Sequence, residues 1–351
     1  MNLSSIEAVG YKDWKQLIAA CPKAELHCHI DCLTPELYLK FAERNGIKTP
    51  FKTIEEVETF SRFNSLDEFL TVMLTFVNVI QTEDDFIDMI VACAKDMYEQ
   101  HIIYREVMFD YTVCYGSRGI PLDIVMNGFA KGLELAKKNY GSADIRFIAN
   151  LDRRATAEKN CAYLEKLFKY KNMIPLIAIG MDMDEKGYPA HNQADAFAFA
   201  KANGMYLTGH SGEDLGPESI WDALNALKLD RVDHGVRAVE DEKLMKHLSK
   251  NNILLTLCPD SNISLGVYNS WKEYPLRKLI DNGVKVSINS DDPGILPYNL
   301  SDNLIKCIEI FNLTLGETVA LIRNPFIYNF TGKEYLFKVD AWLSDVGIAI
   351  N

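Results

Sequence analysis

Two histidines one residue apart, His27 and His29, stand in the stretch PKAELHCHIDCLTPE of a chain that has only seven. In a strand, side chains i and i+2 point to the same face. Read as a short strand, AELHCHI puts Leu26, Cys28 and Ile30 on one face and both imidazoles on the other. Two imidazoles side by side can hold one metal ion, and a zinc site needs at least one or two further ligands from elsewhere. A His-x-His triplet alone is a weak motif and also suits a solvated loop, so the metal reading needs partners from the rest of the chain. TGHSGED offers His210 and Glu213, VDHG offers His234, and NSDDPG offers Asp291 and Asp292.

These residues share a position in the pattern. Short apolar segments alternate with longer helical ones: AELHCHI, IIYREVMF, DIRFIANL, PLIAIGMD, MYLTGH, DRVDHG, ILLTLCP and VKVSINS. Between the later ones lie amphipathic stretches such as IPLDIVMNGFAKGLELAKKN and GPESIWDALNALKL. Eight strand–helix repeats predict an α/β fold, a (β/α)8 TIM barrel. An open doubly wound sheet is the alternative, but the glycine-rich dinucleotide fingerprint is missing after the first strand. The chain reads as one domain over 1–351, with extra helices inserted after the first strand as a lid over about 35–100. Within it PELYLKFAERNGI starts with Thr34 as N-cap and Pro35 at the first helical position. DEFLTVMLTFVNVI is apolar enough to be core on most of its surface, a packed helix rather than a ligand box.

Chemistry in such a barrel sits where strands end and loops begin. Four of the seven histidines and the Asp291–Asp292 pair fall at those ends, whereas His101, His191 and His247 sit in helical or loop contexts and read as surface residues. His27, His29, His210 and one aspartate make a nitrogen-rich site suited to zinc or another first-row divalent ion. Zinc lowers the pKa of a bound water to about 7. His234 is then free to orient that water or accept its proton. Glu213 can act as a general acid if burial raises its pKa, or can simply cap the next helix.

Composition sets the boundaries. The 351 residues are 48% hydrophobic and 25% charged, with a formal net charge of −12. That charge argues against nucleic-acid backbones and anionic membrane surfaces as partners. No apolar run approaches the ~18 residues of a membrane span, and MNLSSIEAVGYKDWK lacks a secretory layout. Eight scattered cysteines without a CxxC pair point to a reduced, cytoplasmic setting.

Taken together, PKAELHCHIDC, HSGED, RVDHGVRAVED, CPDSN and NSDDP resemble the adenosine deaminase family, a zinc-dependent branch of the amidohydrolase barrels, in the family's order from Pro22 to Pro293. The resemblance implies one zinc per chain on His27, His29, His210 and Asp291. It also implies Glu213 as the acid protonating the purine at N1, His234 orienting the zinc-bound hydroxide, and Asp292 bonding purine N7. The implied reaction is attack at C6, a tetrahedral intermediate and loss of ammonia. A two-metal amidohydrolase would be expected to carry a bridging lysine at the end of strand four, and LIAIGMD has none. A non-catalytic barrel that binds or signals is a further alternative, but one that should have lost a ligand or the acid.

Departures from the family pattern bear on the substrate. Cys32 stands where the family usually has glycine, and Ser211 where it has alanine. Glu185, in GMDMDEKGYPA, falls near the family's glycine whose N–H meets purine N3, which makes it a candidate substrate-binding residue. That turn and EVMFDY…RGIPLDIVMNG look like the adenine deaminase branch. Asp31 matches the adenosine branch, where an aspartate meets the ribose hydroxyl, and it shares the strand face of His29. A buried carboxylate prefers a ligand that pairs with it, so the expectation from Asp31 is adenosine or deoxyadenosine, to the inosine product plus ammonia. The alternative is adenine to hypoxanthine. The expected partner is a small purine nucleoside or base.

Overall fold

The computed structural model describes residues 10–63, 65–141 and 143–348, so residues 1–9, part of the stretch read for a secretory layout, lie outside the described residues. Strand β1 (Lys23–His29) pairs in parallel with β2 (Ile102–Phe109), followed by β3 (Asp144–Asp152), β4 (Leu176–Asp182) and β5 (Tyr206–Leu207). A second run of parallel pairs links β6 (His210–Ser211), β7 (Val232–His234), β8 (Leu255–Leu257) and β9 (Val286–Ile288). The fifth expected strand is therefore split in two at Thr208 and Gly209. It remains seated because the Thr208 N–H donates to Ile179 and the Asp233 N–H to Gly209.

The ring closes between β1 and the segment after β9. Cys28 and Asp291 form an isolated parallel bridge, and the His29 N–H donates to the Asp291 carbonyl at 2.7 Å. With helices such as Leu122–Tyr140, Ala157–Leu167, Pro217–Leu227 and Leu315–Tyr328 between and after the strands, this is a (β/α)8 barrel. The strands are short and almost wholly buried, as parallel strands covered by helices must be.

Helix α1 (Trp14–Ala20) precedes β1. Four helices fill the connection from β1 to β2: α2 (Pro35–Arg44), α3 (Ile54–Phe60), α4 (Leu66–Val77) and α5 (Glu83–Glu99). Thr34 caps α2 through its side chain, accepting from the Leu37 N–H, with Pro35 in the first turn. The α5 helix lies close against Leu122–Tyr140. A Cβ on Gly128 would come within 2.5 Å of the Phe86 Cβ, so only glycine allows that approach. This clamp fixes the insertion to the barrel wall, with α4 above the strand ends.

Candidate active site

Each of three imidazoles turns one nitrogen toward a common point. The His27 Nδ1 sits 2.9 Å from the Thr256 Oγ1, and that hydroxyl donates to the Asp233 Oδ1 at 3.0 Å. The hydroxyl proton being committed to Asp233, its oxygen accepts from His27, so His27 carries its proton on Nδ1. His210 holds its Nδ1 3.1 Å from the Met181 carbonyl, which can only accept. The His29 Nδ1 faces the Asp110 Oδ2 at 3.6 Å. In His27 and His210 the Nε2 lone pair is left for something else. For His29, burial is outweighed by Asp110, Asp292 and Asp291, which raise it well above the usual histidine range, so a metal bound there would displace its proton. The His29 and His210 Nε2 atoms lie 3.2 Å apart, and the buried His27 Nε2 has no hydrogen-bond partner although the Asp291 Oδ1 is 3.0 Å away.

Ligand atoms of His27, His29, His210 and Asp291 lie within 4.8 Å of one another. Nε2 atoms converging at that range, with the other nitrogen of His27 and of His210 hydrogen-bonded, is how a protein orients metal-binding histidines. The donor set of three nitrogens and one carboxylate fits zinc or a similar divalent ion. Two other groups are as compact: His27, His234, Cys258 and Asp291, and His29, Asp110 and Asp182. Cys258 is a poor ligand here, because burial pushes its thiol well above the ordinary range, reinforced by Asp291 and Glu213. Asp182 is likewise held well up, by burial and then by Asp110, as expected of two carboxyls sharing a proton.

Electrostatics separate the remaining groups. Burial, with the neighbouring His27, His234 and His29, pushes His210 well below the usual histidine range and keeps it neutral. Burial tends to raise Asp291, but the imidazoles of His27 and His234 outweigh it and hold the carboxylate ionised. His234 drops to about 3, burial winning over the pull of Asp291. Its Nδ1 receives the Asn262 amide at 3.4 Å, and its Nε2 lies 3.4 Å from the Glu213 Oε2 and 3.9 Å from the Asp291 Oδ2. Glu213 is held well above the carboxylate range, first by burial and then by Asp291, Asp214, Glu185 and Asp292. Asp292 rises to about 7 through burial and Asp291, and the Cys32 thiol donates to its Oδ1 at 2.9 Å.

Backbone geometry aims these side chains. His234, at the end of β7, and Asp291, three residues beyond β9, have left-handed φ of 57° and 64°. Such conformations cost of order 1–3 kcal/mol and are kept where the surroundings impose them. Gly212, with φ of 71°, makes the turn that delivers Glu213, and a Cβ there would strike the Ile220 Cδ1 at 2.4 Å.

A cavity adjoins these groups. Its walls include His29, His210, Glu213, His234, Asp291 and Asp292. Phe69, Leu70 and Met73 of α4 also line it. This helix is core on most of its surface, as expected, but it also forms part of the cavity wall, which the packed-helix reading did not include. Val72, Phe76 and Val77 pack inward, while the neighbouring positions face the cavity.

The side chains of two expected substrate contacts already have partners in the structure. Both oxygens of Asp31 are already engaged: the Tyr115 hydroxyl donates to Oδ1 and the Asp110 N–H to Oδ2 at 2.8 Å. Asp31 is therefore not a bare carboxylate awaiting a sugar, because the segment after β2 already donates one hydrogen bond to each of its oxygens. Glu185 lines the cavity, but its carboxylate accepts from the N–H groups of Gly212, Glu213 and Asp214, at 3.0, 2.8 and 2.9 Å, and from the Ser219 hydroxyl. Its carboxylate braces the Glu213 turn, which leaves the expected contact through its backbone N–H unaffected. The capping alternative for Glu213 is not realised either. Gly216 is the N-cap of Pro217–Leu227, and the Glu213 Oε1 accepts from the Asn262 amide at 2.7 Å.

Asn262, Thr256, Asp233 and Asp110 were beyond the sequence reading. Asn262 stands inside the CPDSN motif, where it could have been singled out; the others lie within or beside strands and show no local signal. His101 and His191 are exposed and His247 half-exposed, away from the site. All eight cysteines are free thiols, and among the described residues no helix is long and apolar enough to cross a membrane.

Comparison with known proteins agrees with this geometry. The family model "Adenosine deaminase" matches residues 22–330. An adenine deaminase of Acinetobacter baylyi is 35% identical over 332 residues, covering 94% of this chain and 98% of that one. The crystal structure of an adenine deaminase from Arthrobacter aurescens superposes with a TM-score of 0.87 at 31% identity, covering 93% of this chain and all of the other. An amidohydrolase from Burkhoderia ambifaria, solved with bound zinc, shares the fold, with a TM-score of 0.85 at 22% identity over 95% of this chain and 92% of its own. The chain belongs to the adenosine deaminase family and is a hydrolytic deaminase acting on C–N bonds.

Proposed function

We propose that this enzyme is a divalent-metal-dependent adenine deaminase, converting adenine and water to hypoxanthine and ammonia. The coarser reading, a deaminase of 6-aminopurines, is common to the family model and the relatives. What carries the free base over the nucleoside is the near full-length similarity to adenine deaminases, at 35% identity for those of Acinetobacter baylyi and Psychrobacter cryohalolentis. This reverses the expectation of adenosine drawn from Asp31. The engaged state of that carboxylate agrees with the reversal.

The residues divide the work. His27, His29 and His210 through Nε2, with Asp291, would hold one zinc or similar ion. When bound, the ion supplies a hydroxide-like nucleophile at neutral pH. Glu213, kept protonated by burial, delivers its proton to the ring nitrogen beside the reacting carbon, so that the ring can accept electrons as oxygen adds at C6. Neutral His234 receives the Asn262 amide on Nδ1, which leaves an Nε2–H to orient the attacking oxygen. Asp292, steadied at one oxygen by Cys32, keeps the other for the five-membered ring of the base. The site thus adds oxygen, protonates the ring and lets the amine leave as ammonia.

The test is ammonia release from adenine, adenosine and deoxyadenosine by the purified, zinc-loaded enzyme. Adenine should have the highest kcat/KM. A clear preference for adenosine would overturn the assignment.

A further inference from the structure

We propose that Tyr115 is a specificity-determining residue: by bonding Asp31 from behind the cavity wall, it withdraws a carboxylate that a sugar hydroxyl could otherwise use. The proposal rests on the reading of adenine as substrate and says which side chain enforces it.

Asp31 lines the cavity and lies two residues beyond His29, at the end of β1. A bare carboxylate in that position is a strong acceptor for a ligand hydroxyl, since bonds to an ionised group are the stronger kind. Here the Tyr115 hydroxyl donates to Oδ1 and the Asp110 N–H to Oδ2. Tyr115 is itself fully buried and forms no part of the cavity wall, so it changes the polarity of the site without taking up its space. It cannot easily swing away. It closes the π-helical turn Tyr111–Tyr115 after β2, and its ring packs edge-on against Phe86 at 4.9 Å between centroids.

The apolar walls sharpen the effect. Phe69, Leu70 and Met73 offer no hydrogen bonds to a ligand. A ribose hydroxyl reaching Asp31 would give up its bonds to water for a carboxylate that already accepts one bond at each oxygen, a weaker acceptor than a bare one. A free base carries no such hydroxyls. The pairing of Tyr115 with Asp31 therefore penalises nucleosides while leaving recognition of the base to other groups.

The test compares kcat/KM for adenine and adenosine in the parent enzyme, Tyr115→Phe, Asp31→Ala and the double variant. Tyr115→Phe keeps the ring and its packing and deletes only the hydroxyl, freeing one oxygen of Asp31. The ratio of adenosine to adenine turnover should rise about tenfold, the size of one recovered hydrogen bond, mainly through a lower KM for adenosine. In the Asp31→Ala background the same change should bring no gain. Equal losses on both substrates, an unchanged ratio, or a gain that persists without Asp31 would each overturn the proposal. The parent's own preference reports separately on the base reading: a parent that favours adenine while Tyr115→Phe leaves the ratio fixed sinks this inference alone.

Discussion

His27 and Asp291 are joined twice: the Asp291 N–H donates to the His27 carbonyl at 3.3 Å, and the Asp291 Oδ1 lies 3.0 Å from the His27 Nε2. The backbone contact belongs to barrel closure and the side-chain contact to the metal site. Closing the barrel and assembling the ligands are thus one event, so a chain that fails to close its first strand on its last has no site.

Metal removal tests that coupling. The enzyme should carry about one zinc per chain, as three histidines and one carboxylate require. His27→Ala and Asp291→Ala should lose metal and activity together, whereas Cys258→Ala should keep both. Chelation should lower the melting temperature, because the ion binds only the folded arrangement of His27, His29, His210 and Asp291. Metal analysis and thermal scans check this; a metal-free, fully active preparation would contradict it.

Thr256→Val tests the relay behind His27. The substitution keeps volume but removes the hydroxyl that links the His27 Nδ1 to Asp233. Loss of such a supporting bond typically costs ~10–100-fold in metal affinity. A competition titration with a zinc chelator should show that drop with the fold intact by circular dichroism. Unchanged affinity would mean that packing alone orients the ring.

Glu213→Gln removes the transferable proton while keeping shape. General acid catalysis contributes ~10²–10⁴-fold, so kcat should fall by that order with zinc content unchanged. The pH profile has a definite sign. The folded pKa is raised, so the protonated acid persists at neutral pH, and activity should decline as pH climbs through that raised value. For stability, the folded state binds the proton more tightly than the unfolded chain. Ionising this group at higher pH therefore weakens the fold, and Glu213→Gln should relieve that penalty.

Glu185→Ala should cost both stability and rate. It strands the buried N–H of Gly212 and the partly buried ones of Glu213 and Asp214 without their acceptor, and a buried unsatisfied donor costs ~1–3 kcal/mol. The turn holding Glu213 should loosen, lowering kcat more than it raises KM. Glu185→Gln, which keeps an acceptor oxygen, should recover much of both. A Glu185→Ala variant with normal stability and kcat would show that the turn holds itself.

What the sequence determined by itself was local and chemical. Strand alternation and residue type placed His27, His29, His210, His234, Glu213 and Asp291 at strand ends, because side-chain direction along a strand follows from its two-residue period. The Thr34–Pro35 helix start was legible for the same local reason. The tertiary structure decided which polar atoms remain free. Asp31 looks available in the chain, but Tyr115 and the Asp110 N–H reach it from a different strand and its loop. The Glu185 carboxylate shows no partner in the chain, but the turn after β6 takes it. The half of α4 that lines the cavity carries the same apolar residues as the half that packs into the core. Hydrogen-bond capacity and burial are settled by neighbours far away in sequence, and no local pattern records which lone pairs those neighbours will have filled.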